Sequence, residues 1–161
     1  MSSTTLETLC SNNRREHENY RRELQRLQVA LESLSAYCEP VANLRSLRDV
    51  TTELQFLAAG IPTHMAQEER TVLDPFAQLG SEQARFAEAM KEQHNVLRKR
   101  LAHFSQLLHE IHDSSNLCRA LIELKEQGKE FASFLLQHIK TEELELAEFA
   151  SIHADRVVRR A

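Results

Sequence analysis

The chain has little with which to turn a sheet. Only three glycines and three prolines occur in 161 residues, and tryptophan is absent. No stretch of β-branched residues alternates as a strand would. That scarcity, beside abundant Leu, Glu, Ala and Arg, excludes a β-rich fold and favours helix. Every apolar stretch is interrupted within a few residues, so none spans a bilayer and no membrane partner is expected. The opening MSSTTLETLC has neither the basic nor the apolar region of a secretory signal. Three cysteines (Cys10, Cys38, Cys118) are too few and too dispersed for a disulfide framework, and the expected location is cytoplasmic. Cys38 and Cys118 lie near connections at one end, which leaves a redox-responsive pair open. Net charge is −4 and the basic residues are scattered, so no nucleic-acid partner is expected either.

What punctuation exists divides the chain into four. Cys38-Glu39-Pro40, then Asp74-Pro75 through Gly80-Ser81, then His112 to Asn116 separate segments 5–37, 42–77, 82–112 and 115–154. Each carries apolar residues at three- and four-residue intervals, such as Leu24, Leu27, Leu31 and Leu34 in the first. Ser81 is the expected N-cap of the third. Four long amphipathic helices with short connections predict an all-α, antiparallel up-down-up-down four-helix bundle, a single domain over 1–161. Pro62 is the local conflict, since a proline inside the second segment is expected to kink or break it just before His64.

Two copies of one pattern stand out: His64-Met-Ala-Gln-Glu68 and His138-Ile-Lys-Thr-Glu142. Residues four apart on a helix share a face, so each copy aims an imidazole and a carboxylate at one point. In an antiparallel bundle, residues equidistant from a connection lie at equal height. His17 and His64 are 23 and 24 residues from position 40; Glu68 and His94 are 12 and 14 from Gly80. His94 and His138 are 21 and 23 from Ser115. With a rise of about 1.5 Å per residue, these mismatches fall within one turn. Four His from four helices, with Glu68 and Glu142, are therefore expected on one level. His103 is half a rotation from His94, while His109, His112 and His153 lie at other heights; these four are read as surface or rim residues.

Imidazole nitrogen with carboxylate oxygen suits iron, manganese or zinc. Six ligands are too many for one tetrahedral ion. They divide into two pairs of His, with two Glu to bridge two metals. Without a cation, the same six groups would bury costly unpaired charge. Glu69 and Glu143 follow the bridges by about 100° of rotation and are expected to stand behind the ligands or in solvent. Asn13, Tyr20 and Arg21 flank His17, Met90 and Leu97 flank His94, and Phe134 and Leu135 flank His138.

The H…HxxxE…H…HxxxE order over nearly the whole chain resembles the hemerythrin-like, or HHE cation-binding, family. HMAQEERTVLDP and HIKTEELELAEF resemble its HxxxEExxLFP consensus, departing at Asp74, Ala147 and Glu148. The resemblance implies two iron ions, oxo- or hydroxo-bridged, with zinc or manganese as substitutes. It implies metal ligands His17 and His64 on one ion, His94 and His138 on the other, with Glu68 and Glu142 bridging. Oxygen carriers of that family have a second His one turn along the third helix and an Asp as last bridge; here stand Arg98 and Glu142. The expected function is binding or sensing of a small diatomic molecule (dioxygen or nitric oxide) or of iron itself. A di-iron enzyme is the alternative, oxidase- or peroxidase-like or an iron donor in iron–sulfur cluster repair.

Overall fold

The structure, a computed structural model, describes the backbone of residues 3–34, 40–111 and 114–158. It describes the side chains of 12–34, 43–111, 114–149 and 151. Among these residues the chain is all-helical, with no strand. Helix α1 is Ser3–Glu32, and α2 is Pro40–Glu68, which continues through a π-helical turn, Glu69–Leu73, into the short α3, Asp74–Ala77. Helix α4 is Ser81–Glu110 and α5 is Leu117–Val158. Helix α1 packs on α2 and α5, and α4 packs on α5 and α3.

The leucine stripes meet in one core. Leu24, Leu27 and Leu31 of α1, Val50, Leu54 and Leu57 of α2, Leu97 and Phe104 of α4, and Leu124 and Phe131 of α5 are all buried in it. A smaller cluster of Val72, Phe76, Leu146 and Phe149 lies beyond. On α2, α4 and α5 the predicted polar layer falls between apolar neighbours. On α4, for example, Met90 and Leu97 are buried on either side of His94. Gly128 lets α5 approach closely, because a Cβ there would come 2.7 Å from Leu31 and 2.8 Å from Phe104. Lys125 of α5 donates to the carbonyls of Glu32 and Leu34, satisfying acceptors at the end of α1.

Two local expectations are corrected. Pro62 does not break its helix; α2 runs through it to Glu68. The irregularity comes a turn after His64, where the Asp74 N–H reaches back to the Glu69 carbonyl, one residue further than in an α-helix. Pro75 gives the physical reason. Its ring would strike the carbonyl four residues back in a regular helix, and a widened turn makes room. The N-cap of α4 is Gly80 rather than Ser81, which is already helical; the Gly80 carbonyl accepts from the Ala84 N–H at 2.9 Å. Asn116 caps α5 through its side-chain oxygen, 3.1 Å from the Arg119 N–H. Among the described residues, no helix is long and apolar enough to cross a membrane.

Candidate metal centre

The structure brings together His17 of α1, His64 and Glu68 of α2, His94 of α4, and His138 and Glu142 of α5, none more than 8 % exposed. The imidazoles meet in pairs. His17 Nε2 is 3.2 Å from His64 Nε2, and His94 Nε2 is 3.1 Å from His138 Nε2. The carboxylates link the pairs. Glu68 Oε2 lies 3.3 Å from His94 Nε2 and 3.8 Å from His64 Nε2. Glu142 Oε2 lies 3.5 Å from His17 Nε2 and 3.8 Å from His138 Nε2. His17, His64 and Glu68 form one group able to hold a cation, and Glu68, His94 and His138 form a second.

The outward nitrogens decide what the inward ones can do. His17 Nδ1 donates to Glu143 at 3.1 Å, His64 Nδ1 to Glu16 at 2.5 Å, His94 Nδ1 to Glu69 at 2.8 Å and His138 Nδ1 to Gln93 at 3.0 Å. Each partner atom is a carboxylate or amide oxygen, which accepts only, so each Nδ1 carries the proton. In a neutral imidazole Nε2 is then a bare lone pair. Four lone pairs therefore converge in twos, within ordinary contact of carboxylate oxygens. Among the described residues, no N–H group donates to them.

The acids tell the same story. Glu68 Oε2 and Glu142 Oε2 are buried and have no hydrogen-bond partner among the described residues, while their Oε1 atoms both accept from the Asn13 amide. Burial, and then the Glu68 charge, push the Glu142 carboxyl well above its usual range. Burial also pushes Glu68 upward, but hydrogen bonding to Glu142 and His94 and the facing imidazoles outweigh it, leaving Glu68 strongly acidic. Without a cation the pair thus shares one proton, held by Glu142. Burial lowers His138 to about 3 and lowers His17 as well, so both stay neutral bases.

These donors fit a pair of cations. Nitrogens about 2.1 Å from a metal and 3.1 to 3.2 Å apart subtend roughly 95–100°, nearer an octahedral than a tetrahedral angle. A family model described as the hemerythrin HHE cation binding domain matches residues 11–150. The chain belongs to this family. No curated protein and no solved structure matches it.

The hemerythrin pattern is here reinforced by contacts that the spacing argument did not assign. Arg21, four residues after His17, reaches Glu143 at 2.6 Å. Arg98, four after His94, reaches Glu69 at 2.8 Å. Arg98 thus stands where an oxygen-carrying hemerythrin would place another ligand, yet its guanidinium is spent on the acid that orients His94. Glu16 and Gln93, immediately before His17 and His94, orient the other two rings. The signal was present as Glu16-His17-xxx-Arg21 and Gln93-His94-xxx-Arg98, each complementary to an HxxxEE.

Tyr20 lies on the His64 ring, centroids 5.3 Å apart, and its hydroxyl sits 3.1 Å from where a Cβ on Gly60 would be. Burial pushes that hydroxyl up to about 12, so it stays protonated. His103 and His109 are exposed, away from the centre. His112 and the His153 side chain lie outside the described residues, as do Cys38 and the Cys10 side chain. Cys118, at the start of α5, is disulfide-bonded.

Proposed function

We propose that this hemerythrin-family chain is an antiparallel up-down-up-down bundle holding two iron ions, and that it binds or senses a small molecule there. Dioxygen and nitric oxide are the expected ligands, or iron itself is the cargo. His17 and His64 would hold one ion and His94 and His138 the other, with Glu68 and Glu142 as the shared carboxylates. The observation that carries this reading is the convergence of four Nε2 lone pairs and two carboxylate oxygens without hydrogen-bond partners, with the single Glu142 proton to share among them. Such a layer is costly in a protein interior unless cations occupy it.

Two bound irons would supply redox electrons and open coordination positions. The chain's own groups do the rest. Glu143, Glu16, Glu69 and Gln93 hold the rings in one tautomer and aim the lone pairs inward. Leu97, Met65, Met90 and Ile139, all buried, exclude water from the layer. A pocket of ≈ 280 Å³, lined by Glu16, Asn19, Tyr20, Phe56, Ala59 and Gly60, abuts the His64 side. Its size suits a small ligand, and two of its walls, Glu16 and Tyr20, touch His64.

Anaerobic loading with ferrous iron followed by elemental analysis tests the core of this reading, and two irons per chain are expected. Admitting oxygen then separates the classes. A reversible change in the visible spectrum supports binding. Release of peroxide or superoxide with turnover supports an oxidase instead, and failure to take up metal rejects both.

A further inference from the structure

The centre has an approximate two-fold repeat, broken behind the imidazoles by one pair of residues. Glu16-His17-xxx-Arg21 on α1 corresponds to Gln93-His94-xxx-Arg98 on α4, and HxxxEE on α2 corresponds to HxxxEE on α5. The contacts follow the same correspondence. His17–Glu143–Arg21 matches His94–Glu69–Arg98, and His64–Glu16 matches His138–Gln93. The Arg–Glu–His chains match between the halves, each supplying one carboxylate to its ring and one guanidinium, although Arg21 also reaches the exposed Glu18 at 3.5 Å where Arg98 reaches neutral Asn95 at 3.0 Å. Asn13 touches both bridging acids and so favours neither half. Tyr20 takes the place of Leu97, but a protonated phenol adds no charge. The difference at the rings themselves is Glu16 against Gln93: an anion behind His64, a neutral amide behind His138.

We propose that the two cation positions are unequal, the His17–His64 position binding its cation more tightly because Glu16 backs His64 where Gln93 backs His138. This rests on the two-metal reading above. A carboxylate accepting from Nδ1–H draws that proton toward itself and enriches Nε2 as a donor, and it places a negative charge near the cation. An amide oxygen does the first weakly and the second not at all. The contact lengths agree in direction, 2.5 Å to Glu16 and 3.0 Å to Gln93. The Glu16 side chain is 47 % exposed, so solvent screens it, and the effect belongs at the low end of the usual range for such partners. The tighter position therefore fills first.

The test is a cobalt(II) titration of the metal-free full chain against a chromophoric chelator. Two steps separated by about 10-fold are expected. Glu16→Gln should weaken the tighter step and close the gap. Gln93→Glu should close it from the other side, by tightening the weaker step. That opposed pair of shifts is something a merely structural role would not produce, and circular dichroism checks that both variants fold. Two equal steps in the wild type would overturn the inference, as would Glu16→Gln acting on the weaker step or on neither. In those cases the chain still takes up two cobalt ions, so the two-metal reading survives; absence of any uptake removes both together.

Discussion

Arg21 and Glu143 form a 2.6 Å ion pair between α1 and α5, and the free oxygen of that carboxylate is the one that holds His17 Nδ1. Burial alone would raise the Glu143 carboxyl, but the Arg21 hydrogen bond and charge outweigh it and keep it below its usual value. Folding thus delivers an ionised acid to the back of an imidazole. The cation that keeps it ionised comes from the same helix as the imidazole itself.

Arg21→Ala should therefore weaken metal binding far more than it weakens the fold. Both side chains are partly exposed, 32 % and 23 %, so the ion pair contributes under about 1 kcal/mol to stability. Loss of an outer partner costs roughly 10-fold or more in metal affinity. Chelator competition and urea unfolding on the same variant measure the two effects separately.

His64→Ala or Glu142→Ala is expected to lose at least one metal per chain by elemental analysis. His103→Ala, at an exposed position away from the layer, should leave loading unchanged. Reduced loading in the His103 variant would contradict the assignment of a single transverse layer.

The metal-free protein should lose stability on acidification through a defined window. His138 titrates near 3 when folded and near 6.5 when unfolded, and His17 is lowered too. From pH 6.5 downward the unfolded chain therefore binds protons that the folded chain refuses. Each such group removes about 1.4 kcal/mol per pH unit. His138→Gln should flatten this acid limb in urea unfolding curves recorded from pH 7 to 4.

Glu142 has the opposite sign, because its folded value is raised. The folded chain keeps a proton that the unfolded chain releases above about 4.5, so this group's contribution to stability falls as pH rises toward its folded value. Glu142→Gln is expected to stabilise the metal-free protein at neutral and alkaline pH while impairing metal loading. Thermal melts with and without ferrous iron would show the two effects moving in opposite directions.

Gly128→Ala tests the packing that fixes the height of α5. The added methyl would overlap Leu31 and Phe104, both fully buried. Overpacking of that kind costs about 1–3 kcal/mol, against a gain in helix propensity of up to about 1 kcal/mol. A net destabilisation of about 1 kcal/mol is expected from chemical denaturation.

The six central residues were legible because helical rise and short connections leave little freedom in height. An HxxxE spacing fixes which groups share a face, and distance from a connection fixes their level. The outer partners were harder to read. Glu69 and Glu143 were expected behind the ligands or in solvent, yet which ring each would hold depends on how neighbouring helices rotate about their axes. Arg21 was placed beside His17, and Arg98 where oxygen carriers have a further His, but the acid each one pairs with was not legible. Pro62 looked like the irregular point near the site. The widened turn lies instead at Glu69–Leu73, where Pro75 demands room.

Sequence alone determined the helical class, the long apolar stripes and the heights at which His17, His64, His94 and His138 would stand, since all three follow from local periodicity and chain length. Tertiary packing decided the rest. Rotating α1 against α5 and α2, and α4 against α5 and the turn after α2, set each Nδ1 on an acceptor and so turned every Nε2 inward. No one-dimensional pattern specifies that rotation, because it is set by how side chains from distant helices fill one shared interior.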